Sequence, residues 1–236
     1  MDRNSLEPID LLRVVYTSGR VFDGLRTSDL DTGAFLSTGS TEGISSKADL
    51  HLLKDLKALA IHAIAHAHEP MGAEFLIGLN SEITESGPLH PGQLRTDQQN
   101  IGVNTRYGRH APAALTRERL QRLVESSLAK GGDDPAEQAL TLFADVARAQ
   151  PFEDGNKRTG LFAANALLIG SGTGRLLTIP YDEQDPSAAG SFNDLLARYY
   201  VLGDEDGVKG LLRERGLTAV VEQPESQQGS ESGLSL

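Results

Sequence analysis

The sequence of 236 residues contains no cysteine and no tryptophan, and only 5% of its residues are aromatic. Without cysteine there are no disulfide bonds and no cysteine–metal sites. No apolar run approaches the roughly 20 residues that span a bilayer, and the Asp-Arg-Asn start is unlike a signal peptide. We therefore expect a soluble, cytoplasmic protein that does not contact membranes, with 39% hydrophobic residues to form its core.

Basic residues are also scarce relative to acidic ones. The 22 lysines and arginines stand against 33 aspartates and glutamates, which gives a net charge of −11. A surface of that sign repels phosphate backbones, so general nucleic-acid binding is not expected. A single nucleotide remains compatible with this charge, because a local pair of cations beside helix amides can dominate inside a cleft.

Alanine- and leucine-rich segments predict helices over most of the chain, because their apolar residues recur every three to four positions. The clearest amphipathic helix is predicted at 46–67. The segment 156–169 is apolar on most sides, so we expect it to be the central buried helix. Further helices are predicted near 11–15, 73–83, 116–128, 135–149, 188–201 and 207–215. Gly, Pro, Asn and Gln are common at 86–112, which is predicted to be a loop with a β-hairpin.

The segment 150–160 carries the strongest chemical signal. It reads Gln-Pro-Phe-Glu-Asp-Gly-Asn-Lys-Arg-Thr-Gly. Pro151 forces a turn after one helix, and Gly155 allows a tight backbone path into the next, which begins near Asn156. Unpaired amides and the positive end of the dipole at such a helix start attract phosphate.

The charges beside this helix start favour the same interpretation. Lys157 and Arg158 in the first turn oppose the helix dipole, and an external anion would offset that cost. Asp154 provides an oxygen ligand of the kind that Mg²⁺ accepts when it also binds substrate phosphates. The alternative is a polar turn whose charges face water. The flanking apolar helices favour a nucleotide site.

This segment resembles the signature of the Fic (Fido) nucleotide transferases, His-Pro-Phe-x-(Asp/Glu)-Gly-Asn-(Gly/Lys)-Arg, with Gln150 in place of the leading histidine. The resemblance implies an all-α fold, a helical bundle around a central buried helix with a small β-hairpin flap. It also implies ATP as the donor or ligand, with Mg²⁺.

The resemblance implies a role for each matched residue. Asp154 would bind Mg²⁺. Gly155 and Asn156 would bind phosphates through their amides and the asparagine side chain, and Arg158 would bind the terminal phosphates. Lys157 lies where many members have glycine, and it is similar to the motif of the death-on-curing branch.

The resemblance continues outside the signature. Residues 90–95 resemble the stretch before the flap that binds target segments by strand addition, so Leu94 and Arg95 are expected at a target flap. The implied organisation is an extension at 1–36, a Fic-like domain at 37–215 and a disordered tail at 216–236. Within the domain the flap covers 86–112.

Residues 38–43 fit (Ser/Thr)-x-x-x-Glu-(Gly/Asn), the inhibitory-helix motif of the family, so we expect an inhibitory segment at 37–46. The family glutamate pairs with a second arginine, and that position here is Leu161. Glu42 is therefore left to pair with Arg158 or Lys157, or to face water. A structural helix cap is the alternative interpretation of this motif.

In the family the leading histidine takes the proton of the attacking hydroxyl. Gln150 has no group that titrates near pH 7. Loss of general-base help costs typically about 10²–10⁴-fold, so only slow transfer or hydrolysis is expected. Glu153 and His110 are the candidates for a substitute base.

The predicted function is that of a Fic-type nucleotide-binding protein, ancestrally an adenylyltransferase that moves AMP from ATP to a Ser, Thr or Tyr hydroxyl, and here weakened or inactive. The alternatives are a death-on-curing-like phosphotransferase and a non-catalytic, ATP-dependent regulatory module. The expected partner is a protein target or regulator, and a homodimer is left open. His62 and His66 have a spacing that zinc can use, but a partly solvated helix end is the preferred interpretation.

Overall fold

The computed structural model describes residues 6–99 and 101–220. Within these ranges the chain forms nine α-helices and two antiparallel pairs of short strands. The helices are α1 (Leu12–Ser18), α2 (Asp29–Thr38), α3 (Lys47–Ala65), α4 (Ala73–Ser81), α5 (Arg117–Lys130), α6 (Pro135–Ala149), α7 (Asn156–Gly170), α8 (Ser187–Leu202) and α9 (Glu205–Arg215). The strands are β1 (Val103–Thr105), β2 (Gly108–His110), β3 (Arg175–Leu177) and β4 (Leu217–Ala219).

Helix α7 is the centre of the bundle, as its apolar sequence predicts. It packs against α3, α4, α6 and β3, and its phenylalanine and leucines are almost all fully buried. Gly160 allows α6 to approach closely, since a Cβ atom there would lie 3.2 Å from the carbonyl oxygen of Phe143. The predicted all-α fold around a central buried helix is confirmed.

The predicted helix starts are explained by their capping residues. Ser46, Thr116 and Asp134 accept hydrogen bonds from first-turn amides of α3, α5 and α6. Pro135 occupies the first position of α6, where no partner for its nitrogen is needed. Each cap is worth about 1 kcal/mol. Because the sequence shows these capping residues, the observed helix starts lie within a residue or two of the predicted ones.

The N-terminal part of the chain corrects the prediction in two respects. Helix α2 was not predicted, because its only buried residues are Thr32, Phe35 and Leu36 and its apolar pattern is weak. The predicted domain boundary at residue 36 falls inside this helix, and both α1 and α2 pack on α3. The predicted inhibitory segment 37–46 is the end of α2 followed by a turn, with Gly39 in the left-handed conformation.

The two strand pairs have different consequences. Strands β1 and β2 form a hairpin joined by Arg106 and Tyr107, which confirms the small flap. Strand β4 pairs with β3, so residues 217–219 are ordered structure and the predicted tail cannot begin at 216. The sequence of β4 is too short to signal a strand without its partner. The rest of the predicted tail, 221–236, lies outside the described residues.

None of the helices in the described ranges is both long enough and apolar enough to cross a membrane.

Candidate functional site

A cavity of about 610 Å³ lies at the N-terminus of α7. Its walls come from the end of α6, the signature loop, β1 of the flap, α8 and the π-helical turn Gly19–Asp23 that follows α1. The volume is in the range of small-molecule sites. The cavity brings together the predicted residues Gln150, Glu153, Asp154, Gly155, Asn156, Lys157 and Arg158.

The signature loop is held by its own side chains. Phe152 is fully buried and anchors the loop in the core. The Asn156 side chain accepts a hydrogen bond from the Phe152 N–H at 2.8 Å and donates one to the Phe152 carbonyl at 3.0 Å. The role in phosphate binding implied for this side chain is therefore limited: both of its ends close the loop, and the second Nδ2 hydrogen and the backbone amide of Asn156 are left for a ligand.

Asn80 positions the same loop from α4, and the sequence prediction missed it. This fully buried side chain donates to the Asp154 carbonyl at 3.0 Å and to the Thr159 hydroxyl at 3.1 Å. It also accepts from the Gly92 amide at 2.9 Å. The available signal was an amide residue in an otherwise apolar helical segment, which a buried polar network explains.

Gly155 is the N-cap of α7, and no other residue fits its position. Its φ is +74°, and a Cβ atom there would lie 2.3 Å from Cδ1 of Ile83. The amides of the next three residues, Asn156 to Arg158, donate to no acceptor within the described part of the chain. Three free N–H groups therefore lie at the positive end of the central helix, beside the cavity.

Lys157 lies in the cavity beside an aromatic ring. Its ammonium nitrogen is 4.6 Å from the ring centroid of Phe22. Burial lowers the pKa of Lys157, and the neighbouring Arg158 lowers it too, while Asp23 and Asp154 oppose the change. No salt bridge within 4.0 Å reaches this ammonium group from any described residue. The cation is therefore available to an anion that enters the cavity.

Arg158 is only 2% exposed, and its guanidinium group is held by residues outside the signature loop. Its Nη1 donates to the Ser86 hydroxyl at 2.9 Å. That hydroxyl donates in turn to the buried carboxylate of Asp55, at 2.7 Å, which also accepts three backbone amides. Ser86 and Asp55 thus orient the guanidinium group, and neither was predicted, because no local pattern links them to residue 158.

The acidic partner of Arg158 is Asp23 at the end of the π-helical turn. Its Oδ2 lies 3.6 Å from Nε of Arg158. Burial raises the pKa of Asp23, and the nearby Arg158 and Lys157 lower it. Glu42, which was predicted to pair with one of these cations or to face water, is exposed and forms no ion pair with a described residue. Of the two alternatives for Glu42, the structure shows the exposed one, and Asp23 is the acid that lies beside Arg158.

Asp154 is suited to a magnesium ion that shares its ligands with phosphates. Its side chain is 60% exposed at the cavity, and its Oδ2 lies 3.9 Å from Arg158. Its Oδ1 accepts the Gly155 amide at 2.6 Å, which fixes the carboxylate. The described residues contain no cluster of three or more His, Cys, Asp or Glu that could hold a metal alone. The residues therefore fit Mg²⁺ only when ligand phosphates complete the coordination.

The two candidate substitute bases are both engaged elsewhere. His110 stacks on Tyr200, and its Nε2 donates to the Arg148 carbonyl at 2.6 Å, since a carbonyl only accepts. It does not line the cavity. Glu153 lines the cavity, but its carboxylate accepts the Leu89 amide at 3.1 Å and contacts His90 at 3.4 Å. Neither side chain is oriented toward a nucleophile beside Gln150.

Leu94 and Arg95 lie at the base of the flap. Leu94 pairs with Phe152 in an isolated antiparallel bridge. Arg95 is 4% exposed; its Nε donates to the Gln150 carbonyl at 2.6 Å, and its Nη2 donates to the carbonyls of Pro112 and Ala113. The expectation that Arg95 faces a target is therefore corrected: it ties the flap to the signature loop.

The rings of His62 and His66 are tilted by 38° to each other, with 4.4 Å between their centroids. Each Nδ1 contacts a different carboxylate, Glu82 for His62 and Glu69 for His66. This arrangement agrees with the interpretation as a helix end rather than a zinc site.

The fold and the cavity define a class: an all-α protein whose central helix begins in a pocket with free amides and two cations, beneath a β-hairpin. Residues 53–168 match the model of the Fic/DOC family. Among curated proteins, none matches the chain.

Two solved structures illustrate the shared fold. A Fic-domain-containing signalling protein from Bacteroides thetaiotaomicron is 20% identical, with a TM-score of 0.62 and 89% of each chain covered. A fragment of Fic-1 from C. elegans is 15% identical, with a TM-score of 0.62, and the match covers 88% of this chain and 60% of that one. The chain therefore spans less than two thirds of the Fic-1 fragment.

Proposed function

We propose that this protein binds ATP with Mg²⁺ in the cavity at the start of α7. The proposal is carried by three features around one small-molecule-sized space: three α7 amides without an acceptor among the described residues, the Lys157 ammonium without an ion partner among them, and the oriented Arg158. Together with the match to the Fic/DOC family model, this arrangement supports a polyphosphate ligand. Asp154 would hold the metal, which supplies charge neutralisation of the phosphates when bound.

The reaction that such a site supports is transfer of AMP from ATP to the hydroxyl of a protein Ser, Thr or Tyr. Phosphate positioning by the α7 amides and Arg158 remains possible here. Gln150 removes the general base, and neither His110 nor Glu153 replaces it in the described geometry. We therefore propose that this activity is weakened or lost, so that the protein acts mainly as a nucleotide-dependent binding module.

The second candidate is transfer of the γ-phosphoryl group, as in a death-on-curing-like phosphotransferase. The specific observation in its favour is Lys157, whose side chain enters the cavity. ATP labelled at the α- or the γ-phosphate separates the possibilities. Label on protein from the α-position supports AMP transfer, label from the γ-position supports the second candidate, and tight binding without label supports the binding module.

Calorimetry with ATP, CTP and GTP in the presence of Mg²⁺ tests the primary proposal. The variant Lys157→Met should weaken ATP binding by roughly tenfold, because a cation in contact with phosphate contributes on the order of 1.4 kcal/mol. Lys47→Met is the matched control, since Lys47 is exposed at the start of α3 and away from the cavity. Failure of the wild-type protein to bind any of the three nucleotides would overturn the proposal.

We also propose that Asp23 opposes nucleotide binding from within the chain. Its carboxylate is the ion partner of Arg158 that ligand phosphates would need to displace or share. Phe22, the residue before it, covers Lys157. Two consecutive side chains of one turn thus lie against the two cations.

A further inference from the structure

The side-chain amide of Gln150 is buried and unpartnered. The residue is 5% exposed and lines the cavity. Its Oε1 has no hydrogen-bond partner, and its amide nitrogen makes no hydrogen bond to any described residue. A buried polar group left in this state lowers stability, and such groups in native proteins are usually explained by a function or a bound molecule.

The backbone of Gln150 is also held in an unfavourable conformation. With φ 46° and ψ 59° it is the only non-glycine residue with positive φ among the described residues. Its amide donates to the Val146 carbonyl at 3.1 Å, and its own carbonyl accepts from Arg95 at 2.6 Å. The left-handed conformation is disfavoured for residues with a side chain. The surrounding structure therefore fixes the backbone of Gln150 at the wall of the cavity.

The chemistry of a carboxamide limits what Gln150 can bind. It has both donor and acceptor groups, whereas an ionised phosphate oxygen only accepts. The amides of α7 with Lys157 and Arg158 already supply donors for phosphates. The unsatisfied Oε1 requires a group that donates a proton in a hydrogen bond, such as water or a hydroxyl.

The flap favours water over a protein hydroxyl. Its turn is fixed to α8, because Arg106 Nε lies 2.7 Å from Asp194 and the Tyr107 hydroxyl donates to the same carboxylate at 3.0 Å. Strand β1 thus forms one wall of a space of about 610 Å³. A water molecule is small enough to reach Gln150 with this wall in place, whereas a segment of another protein needs more room beside it.

We infer that Gln150 orients a water molecule for hydrolysis of the bound nucleotide to AMP and pyrophosphate. This inference rests on the proposed binding of ATP. Oε1 accepts a hydrogen bond from the water, which fixes the position of its oxygen without removing a proton. Gln150 thus positions the water and does not act as a base.

The reaction balances without a further reactant. The water oxygen forms a bond to the α-phosphorus, and the bond from that phosphorus to the oxygen bridging to the β-phosphorus breaks. The electron pair leaves with pyrophosphate. The proton released from the water passes to a non-bridging oxygen of the departing pyrophosphate or to solvent, since a glutamine does not take it.

The experiment compares wild-type protein with Gln150→Met, which keeps the length of the side chain and removes its hydrogen bonds. Gln184→Met is the control, since Gln184 is exposed and does not line the cavity. The dissociation constant of ATP with Mg²⁺ is measured by calorimetry, and the release of AMP and pyrophosphate is measured in single turnovers with protein in excess. We expect a dissociation constant within about twofold for all three proteins, and hydrolysis slower by about 10–100-fold in Gln150→Met alone.

The outcomes separate the inference from the proposed function. If wild-type protein does not bind ATP, both are overturned. If it binds ATP but releases no AMP, or if Gln150→Met hydrolyses ATP at the wild-type rate, only the inference is overturned. AMP found attached to protein instead of free would overturn the assignment of water as the nucleophile. A melting temperature of Gln150→Met at or above that of wild type verifies that the variant folds.

Discussion

Replacing Asp23 with asparagine should tighten the binding of ATP, because the carboxylate competes with the phosphates for Arg158. Two unit charges about 4 Å apart interact by about 4 kcal/mol at an effective dielectric constant of ~20. The distance from Asp23 Oδ2 to Arg158 Nε is 3.6 Å, which is close to that separation. The Asp23 side chain is 27% exposed, so solvent screens part of this interaction. Phosphates bound on the far side of Arg158 would also lie farther from Asp23 than Arg158 does.

Allowing for both effects, we expect a gain of about 1–2 kcal/mol, which corresponds to roughly 5–30-fold tighter binding. The assay is calorimetric titration with ATP at saturating Mg²⁺, repeated at higher ionic strength, where the gain should shrink only modestly because the pair is largely buried.

Asp133→Asn is the matched control for this prediction. Asp133 is exposed next to the N-cap of α6, whose other end is at the cavity. A helix of this length separates the two positions by about 22 Å at ~1.5 Å per residue. The reasoning is refuted if Asp23→Asn leaves the dissociation constant unchanged, or if Asp133→Asn tightens binding equally.

Three further predictions concern stability. Gln150→Met should raise the free energy of unfolding of the unliganded protein by about 1–2 kcal/mol, because it removes an unsatisfied buried amide; urea denaturation checks this, and a loss of stability would contradict it. Gly155→Ala should destabilise by about 3 kcal/mol or more, since left-handed strain adds to a clash with Ile83. Gly132→Ala, also at positive φ but with open space around its Cβ, should cost only about 1 kcal/mol when both variants are compared by urea denaturation, and equal losses would contradict the role of the clash. Because burial raises the folded pKa of Asp23 above its unfolded value, the protonated form stabilises the fold and this contribution is lost as pH rises through the folded pKa. Asp23→Asn should therefore be the more stable protein near pH 7, with an advantage that declines on acidification toward about pH 4; a pH-independent difference in denaturation midpoint would argue against this.

The parts of the fold that were predictable are those specified by local patterns. Helices α3, α5, α6 and α7 combine three-to-four apolar spacing with a recognisable start, and the signature loop is contiguous in sequence. Helix α2 and strand β4 have weak patterns of their own and are stabilised by packing and pairing with distant residues. Sequence periodicity does not report such contacts.

The same distinction applies to the candidate site. Gln150 and residues 153–158 line one cavity, because they are contiguous in sequence around one turn. Asp23, Asn80 and Ser86 complete the site from other elements, and the chain contacts that bring them there are long-range. The motif containing Glu42 left its position open between pairing and exposure, because a short Ser-, Thr- and Gly-rich pattern contains no information about where its turn lies in space.

The pairing of β3 with β4 has a practical consequence for anyone shortening this chain. Leu177 exchanges backbone hydrogen bonds with the side chain of Asn165 in α7, so β3 is attached to the central helix. A cut after Arg215 would remove the strand that covers β3 and expose leucines that are now buried. Crystallisation or binding trials with trimmed protein should therefore retain the residues through Val220, whose amide bonds to the Gly174 carbonyl.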